Sequence, residues 1–161
     1  MRPCRRGHFF MISVIRKLFG SPQRPQPGQN GYTPGTILFV DDEPEVRKLA
    51  RVCLEQAGYK MIEADDGQKA IDLYQAEREN IGLVVTDVLM PRLDGLGLAT
   101  HLHKEDPELP ILLLSGHMLE EDLWAEGNSR LRYLMKPYRL QELEHAVADL
   151  VGPGVQPSVG T

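Results

Sequence analysis

The sequence predicts an open, doubly wound α/β fold, a parallel sheet with helices on both faces, and three observations carry that prediction. Short apolar runs of strand length recur five times, and a segment with helical spacing of apolar residues follows each one. The central runs "LVV" (83–85) and "ILLL" (111–114) do not alternate with polar residues, which is how strands covered on both faces read. Strands alternating with helices pair in parallel through right-handed crossovers.

The elements follow in order. "TILFV" (36–40) is the first strand, and Val46, Leu49, Ala50, Cys53, Leu54 and Ala57 then mark the apolar stripe of a helix that Gly58 ends. "YKMIEA" (59–64) and "GQKAIDLYQAER" (67–78) are the second strand and helix. "GLVVTD" (82–87) precedes "LGLATHLHKE" (96–105), with Asp94-Gly95 as turn and helix start. "PILLLS" (110–115) precedes "MLEEDLWAE" (118–126), an acid-rich fourth helix closed by Gly127. "RYLMK" (132–136) is the fifth strand. The last helix, "RLQELEHAVADL" (139–150), buries Leu140, Leu143, Val147 and Leu150.

The chain has 161 residues, 42% of them hydrophobic, which suits one core with tails. Residues 36–161 hold 12 Lys/Arg against 23 Asp/Glu, a charge of −11, so this part is a poor partner for nucleic acid and a good one for a cation. Two cysteines, Cys4 and Cys53, make no disulfide framework, and no Cys/His cluster has zinc-ligand spacing. A reducing, cytoplasmic setting is expected. Cys53 is expected to be a small core residue. His101 and His103, two apart on a helix, face different ways and do not share a metal.

Residues 1–35 form a basic leader and a Pro/Gly-rich linker, "SPQRPQPGQNGYTPG" from 21 to 35, expected to be disordered. The apolar run "FFMISVI" ends in Arg16-Lys17 without a small-residue cleavage site and is too short to span a bilayer. Two readings of it stay open. Met11, Val14, Ile15 and Leu18 make one stripe of a basic amphipathic helix, so that residues 9–19 would touch a membrane surface or a partner. Alternatively the leader is disordered, or translation starts at Met11 and not Met1. Residues 152–161 read as a flexible tail.

An open α/β sheet binds its ligand at the carboxyl ends of its strands, where the strand order reverses. Asp41 and Asp42 close the first strand, Asp87 the third, Ser115 the fourth and Lys136 the fifth. Carboxylates gathered there repel one another unless a cation sits among them. Three aspartates suit magnesium, a hard ion held by carboxylates, waters and phosphate oxygens. Lys136 and Ser115 add a positive charge and a hydroxyl for a phosphoryl group.

The set "VDDE" (40–43), "TDVLMPRLDG" (86–95), "LLSG" (113–116) and "YLMKPY" (133–138), in this order and spacing, resembles the receiver domain of two-component response regulators over about residues 36–151. That resemblance implies a flavodoxin-like (βα)5 fold with strand order 2-1-3-4-5. It implies that Asp87 accepts a phosphoryl group from a phosphohistidine of a sensor histidine kinase, hybrid kinase or phosphotransfer domain. It implies a Mg2+ ion on Asp42, Asp87 and the backbone carbonyl of Leu89, with Asp41 acting mainly through water. Ser115 and Lys136 would contact the phosphoryl oxygens, and Lys136-Pro137 would be a cis peptide that aims the lysine into the pocket. Ser115 and Tyr133 would be the switch, repacking the face of the fourth helix, fifth strand and fifth helix toward a downstream effector. Leu89 and His117 would tune the lifetime of the acyl phosphate, and whether the phosphorylated form makes a homodimer stays open.

Each residue also has a plainer role. Asp42 or Asp87 alone could cap a turn, Tyr133 could be a half-buried sheet aromatic, and Trp124 a packing residue. The sequence departs from the common receiver pattern in having Ser115 where threonine is more frequent and in lacking an Ala-Gly-Ala-like stretch before the fifth strand. "SGH" and "LRYLMKPYRLQEL" look more like receivers of hybrid kinases than those fused to DNA-binding domains. No helix-turn-helix follows Gly152, so the expectation is a stand-alone receiver without direct nucleic-acid contact, a self-modifying switch more than an enzyme. The alternatives are a shuttle or sink in a multistep phosphorelay, a pseudo-receiver scaffold and a magnesium-dependent phosphohydrolase. A flavin-binding relative of the fold is disfavoured, because the acids would repel the cofactor phosphate.

Overall fold

A computed structural model describes residues 36–117 and 130–151. The leader and linker, the expected fourth helix with Trp124, and the tail lie outside the described residues. Five strands, β1 (Thr36–Val40), β2 (Lys60–Ala64), β3 (Leu83–Asp87), β4 (Ile111–Ser115) and β5 (Leu131–Met135), form one sheet of order β2-β1-β3-β4-β5. All four pairings are parallel. The described helices are α1 (Pro44–Gln56), α2 (Gly67–Glu77), α3 (Gly95–Glu105) and α4 (Leu140–Val151). The doubly wound parallel sheet is therefore as the sequence pattern predicts, and the flavodoxin-like strand order is as the resemblance implies. Among the described residues no helix is long and apolar enough to cross a membrane.

Side-chain alternation along the strands builds two cores. Ile37, Phe39, Leu83, Val85, Leu112 and Leu114 point to one face and pack with Ala50 and Leu54 of α1 and Leu143 and Val147 of α4. Leu38, Val40, Val84, Ile111 and Leu113 point to the other and meet Ala70, Ile71 and Tyr74 of α2 and Leu98, Ala99 and Leu102 of α3. Every residue of β3 and β4 is buried, in keeping with their unbroken apolar runs. Each such Leu or Val contributes about 1.5–3 kcal/mol by leaving water, and Leu112→Ala would cost roughly 2–5 kcal/mol.

Local signals set the helix ends. Pro44 opens α1, and Gly58, at φ 92°, turns the chain out of it. Asp66 caps α2 by accepting the Lys69 N–H at 2.9 Å, and Asp94 caps α3 by accepting the Gly97 N–H at 2.7 Å. Glu142 reaches back to the Arg139 N–H at the start of α4.

Two expectations about α1 are corrected. Leu49, placed by its spacing in the buried stripe, is 54% exposed, because α1 buries only the narrow arc of Ala50 and Leu54. Cys53 is half-buried at the flank of the core, with its thiol directed at the Leu140 carbonyl 3.5 Å away. His101 and His103 do face different ways: one pairs with Glu105, and the other lies 2.9 Å from the Leu109 carbonyl.

Candidate metal and phosphoryl site

The sheet order places β1 and β3 side by side, with β4 and β5 beyond, so residues at their carboxyl ends share one edge. Ligand atoms of Asp41, Asp42 and Asp87 lie within 4.8 Å of one another. Asp41 is fully buried, Asp87 nearly so, and Asp42 exposed. From β5, the Lys136 ammonium reaches Asp87 Oδ1 at 3.1 Å and Asp41 Oδ2 at 3.8 Å.

The strand ends are held by backbone bonds. The Asp41 N–H donates to the Ala64 carbonyl, the Val88 N–H to Leu114 and the Lys136 N–H to Ser115, so the ends of all five strands brace the edge. The Glu43 N–H donates to Asp41 Oδ1 at 2.9 Å, and the Arg47 guanidinium donates to the Asp41 carbonyl at 2.7 Å. Beneath Asp87, the buried Thr86 hydroxyl donates to the Asp87 carbonyl at 3.0 Å. Gly95 packs against that same carbonyl, since a Cβ there would lie 2.2 Å from it.

Asp41 Oδ2 is buried and accepts no hydrogen bond. Burial above all, and then the Asp87 and Asp42 charges, pushes the Asp41 carboxyl up from its ordinary range, against the Glu43 N–H bond and Lys136. An unmet buried carboxylate oxygen beside two further carboxylates is a hard, all-oxygen donor set, and it fits a small divalent cation. The half-buried Tyr138 phenol is pushed up to about 12, by burial and by Asp41 and Asp87.

Of the remaining sequence-derived residues, Ser115 is buried at the same edge, yet its hydroxyl donates to the His117 carbonyl at 2.7 Å and accepts the His117 N–H at 3.2 Å. Leu89 is 66% exposed in the β3–α3 turn, and Tyr133 is 41% exposed on β5. The Lys136–Pro137 peptide is cis, as the resemblance implies. Sequence reasoning assigned no role to Arg47, Asp66, Thr86, Arg92 or Tyr138. Only Asp66 carried a signal, as an Asp-Gly pair ahead of a helical pattern.

Residues 37–148 match the family described as response regulator receiver domain. The response regulator MprA of Mycolicibacterium vanbaalenii is 40% identical over 111 residues, covering 68% of this chain and 47% of that protein. A response regulator receiver protein from Sinorhizobium medicae is 32% identical with a TM-score of 0.64, over 73% of this chain and 94% of its own. The receiver domain of the hybrid histidine kinase CckA is 30% identical with a TM-score of 0.62, over 73% and 99%. The chain spans about half the length of the curated relatives it matches first.

Proposed function

The chain belongs to the response regulator receiver domain family, a signalling family, and from that premise we propose that Asp87 accepts a phosphoryl group from a histidine kinase or phosphotransfer partner and that residues 36–151 switch a protein–protein interaction in response. The observation that carries this is the Asp41–Asp42–Asp87 cluster with Lys136 between its two buried members. A cap or turn aspartate would need none of that convergence.

Asp87 offers a carboxylate oxygen that attacks phosphorus as the bond to the donor nitrogen breaks, giving an acyl phosphate. Asp41, Asp42, Asp87 and the Leu89 carbonyl would hold Mg2+, which supplies charge neutralisation for the transferred group. Lys136 is already in place beside Asp87 to pair with a phosphoryl oxygen. Ser115 exchanges its bond to the His117 carbonyl for one to the phosphoryl group, and Tyr133, exposed on β5, turns inward as it does. Leu89 and His117 flank the pocket and tune how fast the acyl phosphate forms and hydrolyses. The β5–α4 face then meets an effector or a second copy of the chain. With a charge of −11 over residues 36–161, the domain itself touches no nucleic acid. The proposed setting is the cytoplasm, with residues 1–35 as leader and linker and 152–161 as tail.

A second reading, a phosphate shuttle in a multistep relay, is favoured by the 30% identity to a receiver domain of a hybrid histidine kinase. Intact-mass measurement after incubation with acetyl phosphate tests the first step of both. A single magnesium-dependent phosphate adduct, absent from Asp87→Asn, is expected. No adduct, together with no binding of beryllofluoride, would return the domain to the scaffold reading.

A further inference from the structure

We infer that Arg92 and Asp66 form a latch that holds the β3–α3 turn in the shape from which Leu89 presents its backbone carbonyl to the acidic pocket. Arg92 is thereby a positioning residue for cation binding. The latch rests on the assignment of that pocket to magnesium.

Three features of the turn converge on it. Arg92 sits at φ 70°, the one non-glycine among the described residues with positive φ. An L-residue stays in that region only where its surroundings over-determine it. Its guanidinium pairs with Oδ2 of Asp66, 26 residues away in sequence. Asp66 is a fixed anchor, because it is buried and its other oxygen accepts the Lys69 N–H at the start of α2.

The next residue, Leu93, is pressed onto α2 and α3. A Cβ on Gly67 would lie 2.7 Å from the Leu93 carbonyl oxygen, and one on Gly97 would lie 2.8 Å from Leu93 Cδ1. The Gly95 N–H donates to the Val88 carbonyl at 3.0 Å, which closes the turn on itself. The stretch from Leu89 to Pro91 is thus suspended between Val88, bonded to Leu114, and Arg92, held by Asp66. Releasing Arg92 leaves the Leu89 carbonyl to be ordered at the expense of binding free energy.

The Arg92 side chain is itself 73% exposed. With its cation so open to water the pair contributes only modestly to global stability, although its Asp66 partner is buried. Its loss should therefore appear in cation affinity and not in melting temperature, which separates a positioning role from a structural one.

The test is calorimetric titration of the full chain with Mg2+, without phosphodonor, beside thermal melts in chelator, for wild type, Arg92→Ala, Arg92→Gly and Arg92→Lys. The Ala and Gly variants are expected to bind Mg2+ about tenfold more weakly, the loss typical of a removed outer-shell partner. Lys, which restores a charge opposite Asp66, should recover most of it. Arg92→Gly should melt close to wild type, because glycine takes this φ without steric cost and so offsets the partner lost by the buried Asp66. If Arg92→Gly binds Mg2+ within twofold of wild type, the latch is overturned and the residue serves only the backbone. A large fall in its melting temperature alongside the lost affinity would make Arg92 structural and overturn the latch too. If wild type binds no Mg2+, the magnesium assignment falls and takes the latch with it.

Discussion

The Lys136 ammonium lies 3.1 Å from Asp87 Oδ1, although β5 and β3 are separated in the sheet by β4. It also stands 3.8 Å from the unmet Oδ2 of Asp41. One cation thus balances two buried carboxylates from two strands, and without metal the pocket depends on it.

Lys136→Met removes that balance. In chelator the variant should lose about 1–2 kcal/mol in urea denaturation, less than for a fully buried pair because the lysine side chain is partly exposed. Millimolar Mg2+ should recover most of the loss. An equal deficit with and without Mg2+ would mean that the lysine acts through packing.

Asp41→Asn addresses the buried carboxylate. Its folded pKa is raised, so the folded protein binds this proton more tightly than the unfolded chain does. The ionised group then costs stability as pH rises from the ordinary carboxylate range through the raised value. In chelator at pH 7, Asp41→Asn should be more stable than wild type by about 1–3 kcal/mol, because the amide is no charge to bury. The gap should narrow toward pH 4. A variant less stable than wild type at pH 7 would sink this account.

Gly95→Ala drives a methyl into the Asp87 carbonyl oxygen, 2.2 Å from the new Cβ, where only backbone could give way. A loss of about 3 kcal/mol, at the upper end for overpacking, is expected in denaturant titration. Gly97→Ala is the control, since its Cβ meets the end of the Leu93 side chain and alanine favours the helix. It should stay within about 1 kcal/mol of wild type. Equal effects would show that the Asp87 backbone tolerates displacement.

Ser115→Ala separates acceptance from output. The variant keeps Asp87 and Lys136 and should still gain a phosphate adduct from acetyl phosphate. It should lose the shift of Tyr133 resonances that beryllofluoride induces in wild type, read by two-dimensional NMR. A full shift in the variant would remove Ser115 from the switch.

The legibility of this molecule in its sequence was uneven for a physical reason. Periodicity and caps act within a few residues, so the five strands, the capping roles of Asp94 and Gly58, and the unbroken burial of β3 and β4 could all be read along the chain. The arrival of Asp41, Asp42, Asp87, Ser115 and Lys136 at strand ends was legible as well, because alternating elements force parallel strands whose carboxyl ends share an edge. What the sequence determined by itself is therefore the fold and which of these side chains stand at its strand ends. Only the tertiary structure decided that Lys136 lies between Asp41 and Asp87, that Ser115 turns to His117, that Arg92 reaches Asp66, and that Leu49 faces solvent. Those outcomes depend on distances between elements brought together by crossovers and sheet order, and on how wide an arc of each helix its neighbours cover. No repeat along a single element encodes them.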